Sequence, residues 1–127
     1  MANTLYDAAR QRFLEAQINW MTDTIKVLLV DTGAYTPQTA VHQYLADIGV
    51  SARIAGPVTL TAKSTTGGAA DAADITFTSV SGASIEAIII YVDTGTEATS
   101  PLIAYIDTAT GLPITPNGGD KRNVTLH

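Results

Sequence analysis

Two apolar runs separated by a polar loop constrain the fold of this chain more than any other stretch. The runs are Ile85–Val92 and Leu102–Ile106, and the loop between them, Asp93–Pro101, contains Gly95. Both runs are short and rich in β-branched and aromatic residues, a composition that favours buried strands over helices. We therefore predict a long-looped β-hairpin whose first strand lies in the centre of a sheet and carries apolar side chains on both faces.

Further strands are predicted on both sides of this hairpin. Ile25–Val30 is a short apolar run, Val58–Thr66 and Ile75–Val80 alternate with the period of a half-buried strand, and Asn123–Leu126 is predicted as an edge strand. Asn117-Gly118 is the strongest short hairpin signal in the chain. About six strands at this spacing predict a mainly β fold, an antiparallel β-sandwich or open barrel of the jelly-roll or Ig-like kind.

Two short helices are predicted, and both come early in the chain instead of alternating with strands, which argues against a parallel sheet. The first covers residues 4–18 and takes Thr4 as its N-cap. The second, Gln38–Ile48, follows the first strand, is amphipathic with apolar residues at i, i+3, i+4 and i+7, and ends at Gly49. At this length we predict a single β-rich domain over residues 1–127.

Residues 1–22 are predicted to form an N-terminal helix or arm. Leu5 and Phe13 lie on one apolar stripe of the predicted helix, and Trp20, the single tryptophan, follows it. Two interpretations stay open: the helix packs on the sheet of its own chain, or it docks on a neighbouring subunit. In the second case Leu5, Phe13 and Trp20 are the candidate partner-interface residues.

Charge is scarce in this sequence. Charged residues make up 15% of the chain, compared with about 25% in typical soluble domains, and threonine, serine, asparagine and glycine occupy most polar positions. A face with so little charge costs little to desolvate, which is expected of a surface buried against copies or partners. A β-protein that is simply rich in threonine explains the same composition equally well.

The placement of the charges argues against nucleic acid as a partner. Between Lys63 and Lys121 there is no lysine or arginine, whereas seven acidic residues lie in or beside that span. A nucleic-acid binder needs a basic surface, which is the reverse of this distribution.

Several classes of site and location are also excluded or disfavoured. The chain has no cysteine, and its two histidines are His42, interpreted as a solvated helix residue, and the terminal His127. No apolar run approaches the roughly 18 residues of a membrane span, and the first residues do not resemble a signal peptide. We therefore predict no metal, no cofactor, no membrane contact and assembly in a cytoplasm.

One motif suggests an enzyme. Asp31-Thr32-Gly33, after an apolar strand, resembles the signature of retroviral-type aspartic proteases, in which two carboxylates share a proton. The same triplet recurs as Asp93-Thr94-Gly95, which favours a turn that ends a strand, with aspartate as acceptor and glycine at positive φ. The second apolar element followed by glycine and the flap hairpin of that family are not evident. We predict no catalytic residue and keep a retropepsin-like protease as a remote alternative.

Four segments resemble a family of small virion proteins of tailed bacteriophages: NTLYDAARQRFLEAQINWMTDTIKVLLVD, LADIGVSARIAGPVTLTAKSTTGGAADAADITFTSVSG, IEAIIIYVDTG and SPLIAYIDTATGLPITPNGGD. The resemblance implies a virion structural protein without catalytic residues. Among the roles of such proteins, head decoration (cement) fits best. The expected partners are then the major capsid protein and copies of the chain itself, as a homotrimer on the outside of the capsid.

A tail-associated structural protein, or a receptor- or carbohydrate-binding protein, is the alternative within the same virion setting. Tyr35, Tyr91 and Tyr105 are then possible stacking platforms, although the last two lie in the apolar runs and are expected in the core. Both interpretations predict a location in the virion, after assembly in the host cytoplasm.

Overall fold

A computed structural model describes most of the chain: residues 4–36, 38, 40–66, 69–71, 75–77, 87–106 and 121–124. Within them the structure is mainly strands in an open antiparallel sheet, with one α-helix near the N-terminus. This confirms the predicted fold class of an antiparallel, β-rich chain with a short N-terminal helix.

The described elements are short. The α-helix is α1 (Asp7–Leu14), and single-turn 3₁₀-helices occupy Leu45–Asp47, Val50–Ala52 and Glu97–Thr99. The strands are β1 (Thr4–Leu5), β2 (Ile25–Val30), β3 (Arg53–Thr59), β4 (Ser64–Thr66), β5 (Ala69–Asp71), β6 (Ile75–Phe77), β7 (Ala87–Val92), β8 (Leu102–Ile106) and β9 (Lys121–Val124). In the described part of the chain, no helix has the length and apolar content needed to cross a membrane.

The principal sheet has five strands in the order β1-β8-β7-β2-β3, and each neighbouring pair is antiparallel. β7 is the central strand and all six of its side chains are buried. The prediction that the first strand of the hairpin lies in the sheet centre, with apolar residues facing both ways, is therefore confirmed. Two further pairs, β4-β5 and β6-β9, form separate two-stranded sheets.

Strand register divides the core between two faces of the principal sheet. Lys26 lies opposite Tyr91 and Leu28 opposite Ile89, so these four side chains share one face, termed the front face. The segment that contains the 3₁₀-helix Leu45–Asp47 lies over this face, because Leu45 lines the same cleft as Leu28 and Tyr91.

Two separate segments lie end to end along the outer edge of β8. β1 covers one half, where the N–H of Tyr6 donates to the carbonyl of Ile103 at 3.0 Å. The backbone of residues 43–45 covers the other half, where the N–H of Leu102 donates to the carbonyl of Gln43 at 2.9 Å. The edge of the hairpin is thus occupied by its own chain, which protects it from pairing with another strand.

The predicted amphipathic helix Gln38–Ile48 is wrong. The chain forms a turn at residues 40–41 and a single 3₁₀ turn at Leu45–Asp47, and Tyr44 is extended, with φ −130° and ψ 159°. Tyr44 forms a β-bridge with Pro101, a contact that a helix would not allow. The carboxylate of Asp47 accepts the N–H groups of Gln43 and Tyr44 at 2.8 and 3.1 Å, so the side chain satisfies donors that a helix would pair internally.

The first helix is shorter than predicted and starts later. Thr4 is not its N-cap, because the backbone of Thr4 pairs with Tyr105 as part of β1, and the N-cap position belongs to Tyr6. The helix ends where Ala16 adopts a left-handed φ of 59°. There the N–H of Gln17 returns to the carbonyl of Arg12 at 2.8 Å, a Schellman-type ending.

The predicted strands at Val58–Thr66 and beyond differ in part from the structure. The alternating stretch is split into β3 and β4, with Ala62 at φ 51° between them breaking the extended backbone. β6 covers the start of the predicted strand Ile75–Val80, and residues 78–80 lie outside the described residues. Residues 85–86 and the turn Asn117-Gly118 also lie outside the described residues. β9 starts two residues before the predicted edge strand Asn123–Leu126 and overlaps it at residues 123–124, and residues 125–126 are not described.

Candidate functional site

The N-terminal segment exposes several large apolar side chains. Leu14 is 89% exposed, Met21 49%, Leu5 38% and Phe13 37%. Among the described side chains, the other large exposed apolar residues are Val41 and Val50. We term Leu5, Phe13, Leu14 and Met21 the N-terminal apolar group.

The predicted interface residues do not lie on one helical stripe. Leu5 belongs to β1, Phe13 lies on α1, and Trp20 is only partly exposed and packs against the core. Hydrophobic periodicity in the sequence does not identify Leu14 or Met21. Leu14 lies off the stripe used to predict the helix, and an apolar residue off the core stripe of a short helix is the signal that could have found it. A role for Leu5, Phe13 and Trp20 at an interface stays a prediction.

Polar contacts fix α1 on the body of the protein. Arg12 Nη2 donates to the Tyr44 hydroxyl at 2.9 Å and to Gln43 Oε1 at 3.3 Å, and the guanidinium carbon lies 4.9 Å from the centre of the Tyr44 ring. On the inner side of the segment, Tyr6 and Ala9 are fully buried. The N-terminal apolar group is therefore displayed by a segment that is anchored to the sheet.

Arg10 protects the backbone at the start of this segment. The register of β1 against β8 directs the carbonyl of Leu5 away from β8, and Arg10 Nη1 donates to it at 3.0 Å. The same guanidinium also pairs with the Asp7 carboxylate. A charged side chain thus covers an outward carbonyl of the edge strand, which disfavours strand addition at this place.

A cleft of about 300 Å³ opens on the front face between the sheet and the loop of residues 93–101. Two ion pairs cross it, Lys26 Nζ to Asp93 Oδ2 and Arg53 Nη2 to Glu97 Oε1, each at 2.9 Å. Both cations lie on strands and both acids on the loop.

The charges in the cleft compensate one another. Lys26, together with a backbone N–H from Gly95, lowers the pKa of Asp93, and Arg53 lowers the pKa of Glu97. Burial, reinforced by the negative charge of Asp93, raises the pKa of Tyr91 to about 12, so its phenol stays neutral at physiological pH. Both cations that line this cleft already have an acidic partner, so it is not an evident site for a charged ligand.

Arg53 has a structural task in this cleft. Its Nη2 donates to the carbonyls of Leu45 at 3.0 Å and Ile48 at 2.6 Å, and its Nε donates to Ile48 at 3.2 Å. With the Glu97 pair, one guanidinium joins the start of β3, the 3₁₀-helix Leu45–Asp47 and the hairpin loop. The cleft is better described as the joint that holds the loop and the covering segment to the sheet.

Both Asp-Thr-Gly triplets contain the same side-chain hydrogen bond, although their backbones differ. Asp31 Oδ1 accepts the N–H of Gly33 at 2.8 Å, and Asp93 Oδ1 accepts the N–H of Gly95 at 2.9 Å. Gly95 has a φ of 89°, as the turn interpretation predicts, although Gly33 is not at positive φ. The shared hydrogen bond supports the interpretation of each aspartate as the acceptor of a bend or turn that follows a strand.

The aromatic residues proposed as stacking platforms are all buried. Tyr35 is 4% exposed, and Tyr91 and Tyr105 are 2% exposed, so their rings are not available to a carbohydrate. The interpretation of His42 as a solvated helix residue is also wrong. His42 is half-buried outside any helix, and its Nδ1 lies 2.9 Å from the Tyr35 hydroxyl.

In the ranges that the structure describes, no three His, Cys, Asp or Glu side chains converge as a metal site would require. Comparisons with protein-family models and with curated proteins gave no match. The N-terminal apolar group is the largest set of exposed apolar side chains among the described residues.

Proposed function

We propose that this chain is a structural protein of a bacteriophage virion, most specifically a head decoration protein. It binds the major capsid protein on the outside of the shell, as a homotrimer, and stabilises the shell. The proposal is supported by the resemblance of four segments to small phage virion proteins, by the scarcity of charge, and by the position of the exposed apolar residues.

The N-terminal apolar group is the observation that carries the proposal. Covering a leucine as exposed as Leu14 contributes about 2 kcal/mol of hydrophobic free energy. One such contact is weak, but an oligomer that binds a repeating lattice makes several at once, and the effective concentration of the linked sites multiplies the affinity. The anchored α1 adds to this, because a segment that is already ordered loses little entropy on binding.

Addition of the purified protein to undecorated capsids of the parent phage tests the proposal. We expect saturable binding to the outer surface, bound protein that elutes as a trimer after release, and a raised melting temperature of the shell. Shells that take up no protein, or that bind it without any gain in thermal stability, would contradict a decoration role.

Copy number in purified virions separates head from tail. A decoration protein is present in hundreds of copies, because it covers a lattice, whereas a tail component is present in roughly six to a few dozen, because tails have low rotational symmetry. Quantitative gel or mass-spectrometric stoichiometry against the major capsid protein gives this ratio directly.

A further inference from the structure

Tyr6, Tyr35 and His42 form a chain of three hydrogen-bonded side chains. It runs from Tyr6, which is fully buried in the N-terminal segment, to the half-exposed His42. The hydroxyls of Tyr6 and Tyr35 lie 2.7 Å apart, and the Tyr35 hydroxyl lies 2.9 Å from His42 Nδ1. Tyr6 is completely buried and Tyr35 is 4% exposed, so bulk water does not replace a partner that either phenol loses.

The direction of the hydrogen bonds follows from the other partner of His42. The backbone N–H of Gln38 also points at Nδ1, at 3.4 Å, so Nδ1 is an acceptor and the ring proton of the neutral imidazole belongs on Nε2. Tyr35 then donates to Nδ1, and Tyr6 donates to the Tyr35 oxygen. Burial raises the pKa of both phenols, so both keep their protons at neutral pH, and two hydroxyl hydrogens fill two hydrogen bonds.

A proton added to His42 upsets this count. Nδ1 becomes a donor, and the three groups then hold three hydrogens for the same two hydrogen bonds. The Gln38 N–H loses its acceptor, and one phenol hydrogen has none within the chain of three. Leaving a hydrogen-bond donor unpaired in a site without water costs more free energy than an exposed pair of opposite charges contributes.

We propose that His42 is a pH switch: its protonation breaks the Tyr6–Tyr35 chain and loosens the junction between β1 and α1. Tyr6 transmits the effect because it is the N-cap of α1. Its N–H donates to the Ile103 carbonyl, and its own carbonyl accepts the N–H groups of Ala9 and Arg10. This switch is independent of the proposed function.

One carboxylate and one further phenol lie near the three hydrogen-bonded side chains. Asp47, on the 3₁₀-helix Leu45–Asp47, is within electrostatic range of His42 and of both phenols, and its negative charge adds to burial in raising the pKa of the two phenols. However, the N–H groups of Gln43 and Tyr44 already donate to that carboxylate. The third phenol near Tyr6, that of Tyr105, adds no charge when neutral.

Amide hydrogen exchange measured by NMR tests the switch. The readout is the protection factor of the Tyr6 amide divided by that of the Ile89 amide in the central strand, at about pH 7.5 and about pH 5, on either side of the histidine range. His42→Asn places an acceptor that does not titrate where Nδ1 stood. His127→Asn removes the other histidine and is the matched control.

We expect the ratio to fall about tenfold between the two pH values in the wild type and in His127→Asn, and to stay constant in His42→Asn. An unchanged ratio in the wild type, or a ratio that rises at low pH because the Asp47 charge dominates, would overturn the proposal. If His42→Asn does not fold, the wild type suffices. The ¹⁵N spectrum of His42 must then show an unprotonated Nδ1 at neutral pH, and the wild-type ratio decides the rest.

Discussion

The central strands and the N-terminal segment place their apolar residues in opposite ways. In β7 every side chain is buried, and β2 pairs with it over all six residues. In the N-terminal segment Tyr6 and Ala9 are buried, while Leu14 and Met21 face solvent. In the first region the apolar side chains stabilise the fold. The second leaves part of its apolar surface exposed, and this is the surface that the proposed function uses.

The means that hold the two regions also differ. The backbone pairing of β2 with β7 is unbroken over six residues, and that of β7 with β8 has one register shift. The N-terminal segment has only the two-residue pairing of β1 with β8, and α1 is fixed by side-chain contacts such as those of Arg12 with Tyr44. A ladder is lost cooperatively with the whole sheet, but side-chain contacts can be lost one at a time. We therefore expect substitutions in the two regions to act on different properties, stability in one and binding in the other.

The largest effect is expected in the sheet centre. Ile89→Ala removes a fully buried side chain from the front face of the central strand and should lower the free energy of unfolding by about 3 kcal/mol. The cavity cannot collapse easily, because the backbone of β7 is paired with β2 on one side and β8 on the other. Urea denaturation followed by circular dichroism measures it. Leu14→Ala is the matched comparison in the N-terminal segment and should change stability by less than about 0.5 kcal/mol. Equal losses in both variants would contradict the division between the regions.

A smaller effect is expected where the covering segment joins the sheet. Arg53→Met keeps most of the apolar stem but removes the donors to the carbonyls of Leu45 and Ile48, which should cost about 1–3 kcal/mol in unfolding free energy. Glu97→Gln is the control, since it removes the exposed ion pair and leaves those carbonyl contacts intact. Equal destabilisation by Glu97→Gln and Arg53→Met would show that the ion pair, and not the hydrogen bonds to the carbonyls, holds the covering segment to the sheet.

The sequence predicts the regions where local pattern and tertiary environment agree. Ile88-Ile89-Ile90 is a β-branched run that favours an extended backbone, and the sheet buries it on both faces, so the predicted central strand is confirmed. The bounds of β8 also match the predicted run Leu102–Ile106.

The predictions fail where distant residues decide the local structure. Nothing near Tyr44 shows that Pro101 will pair with it, and this pairing replaces the helix that the apolar spacing favoured. The contact of His42 with Tyr35 belongs to the same non-helical segment. Leu14 was missed for the reverse reason, since hydrophobic periodicity identifies the buried stripe of a helix and does not detect an apolar residue that the fold leaves exposed.

Capsid binding by two surface variants tests the central claim that the N-terminal segment is the binding surface. Leu14→Ser and Val50→Ser each remove an exposed apolar side chain, 89% and 74% exposed, and only the first lies in the N-terminal apolar group. We expect Leu14→Ser to bind undecorated capsids at least about tenfold more weakly than the wild type, and Val50→Ser to bind like the wild type. Undiminished binding by Leu14→Ser, or an equal loss in Val50→Ser, would contradict the claim.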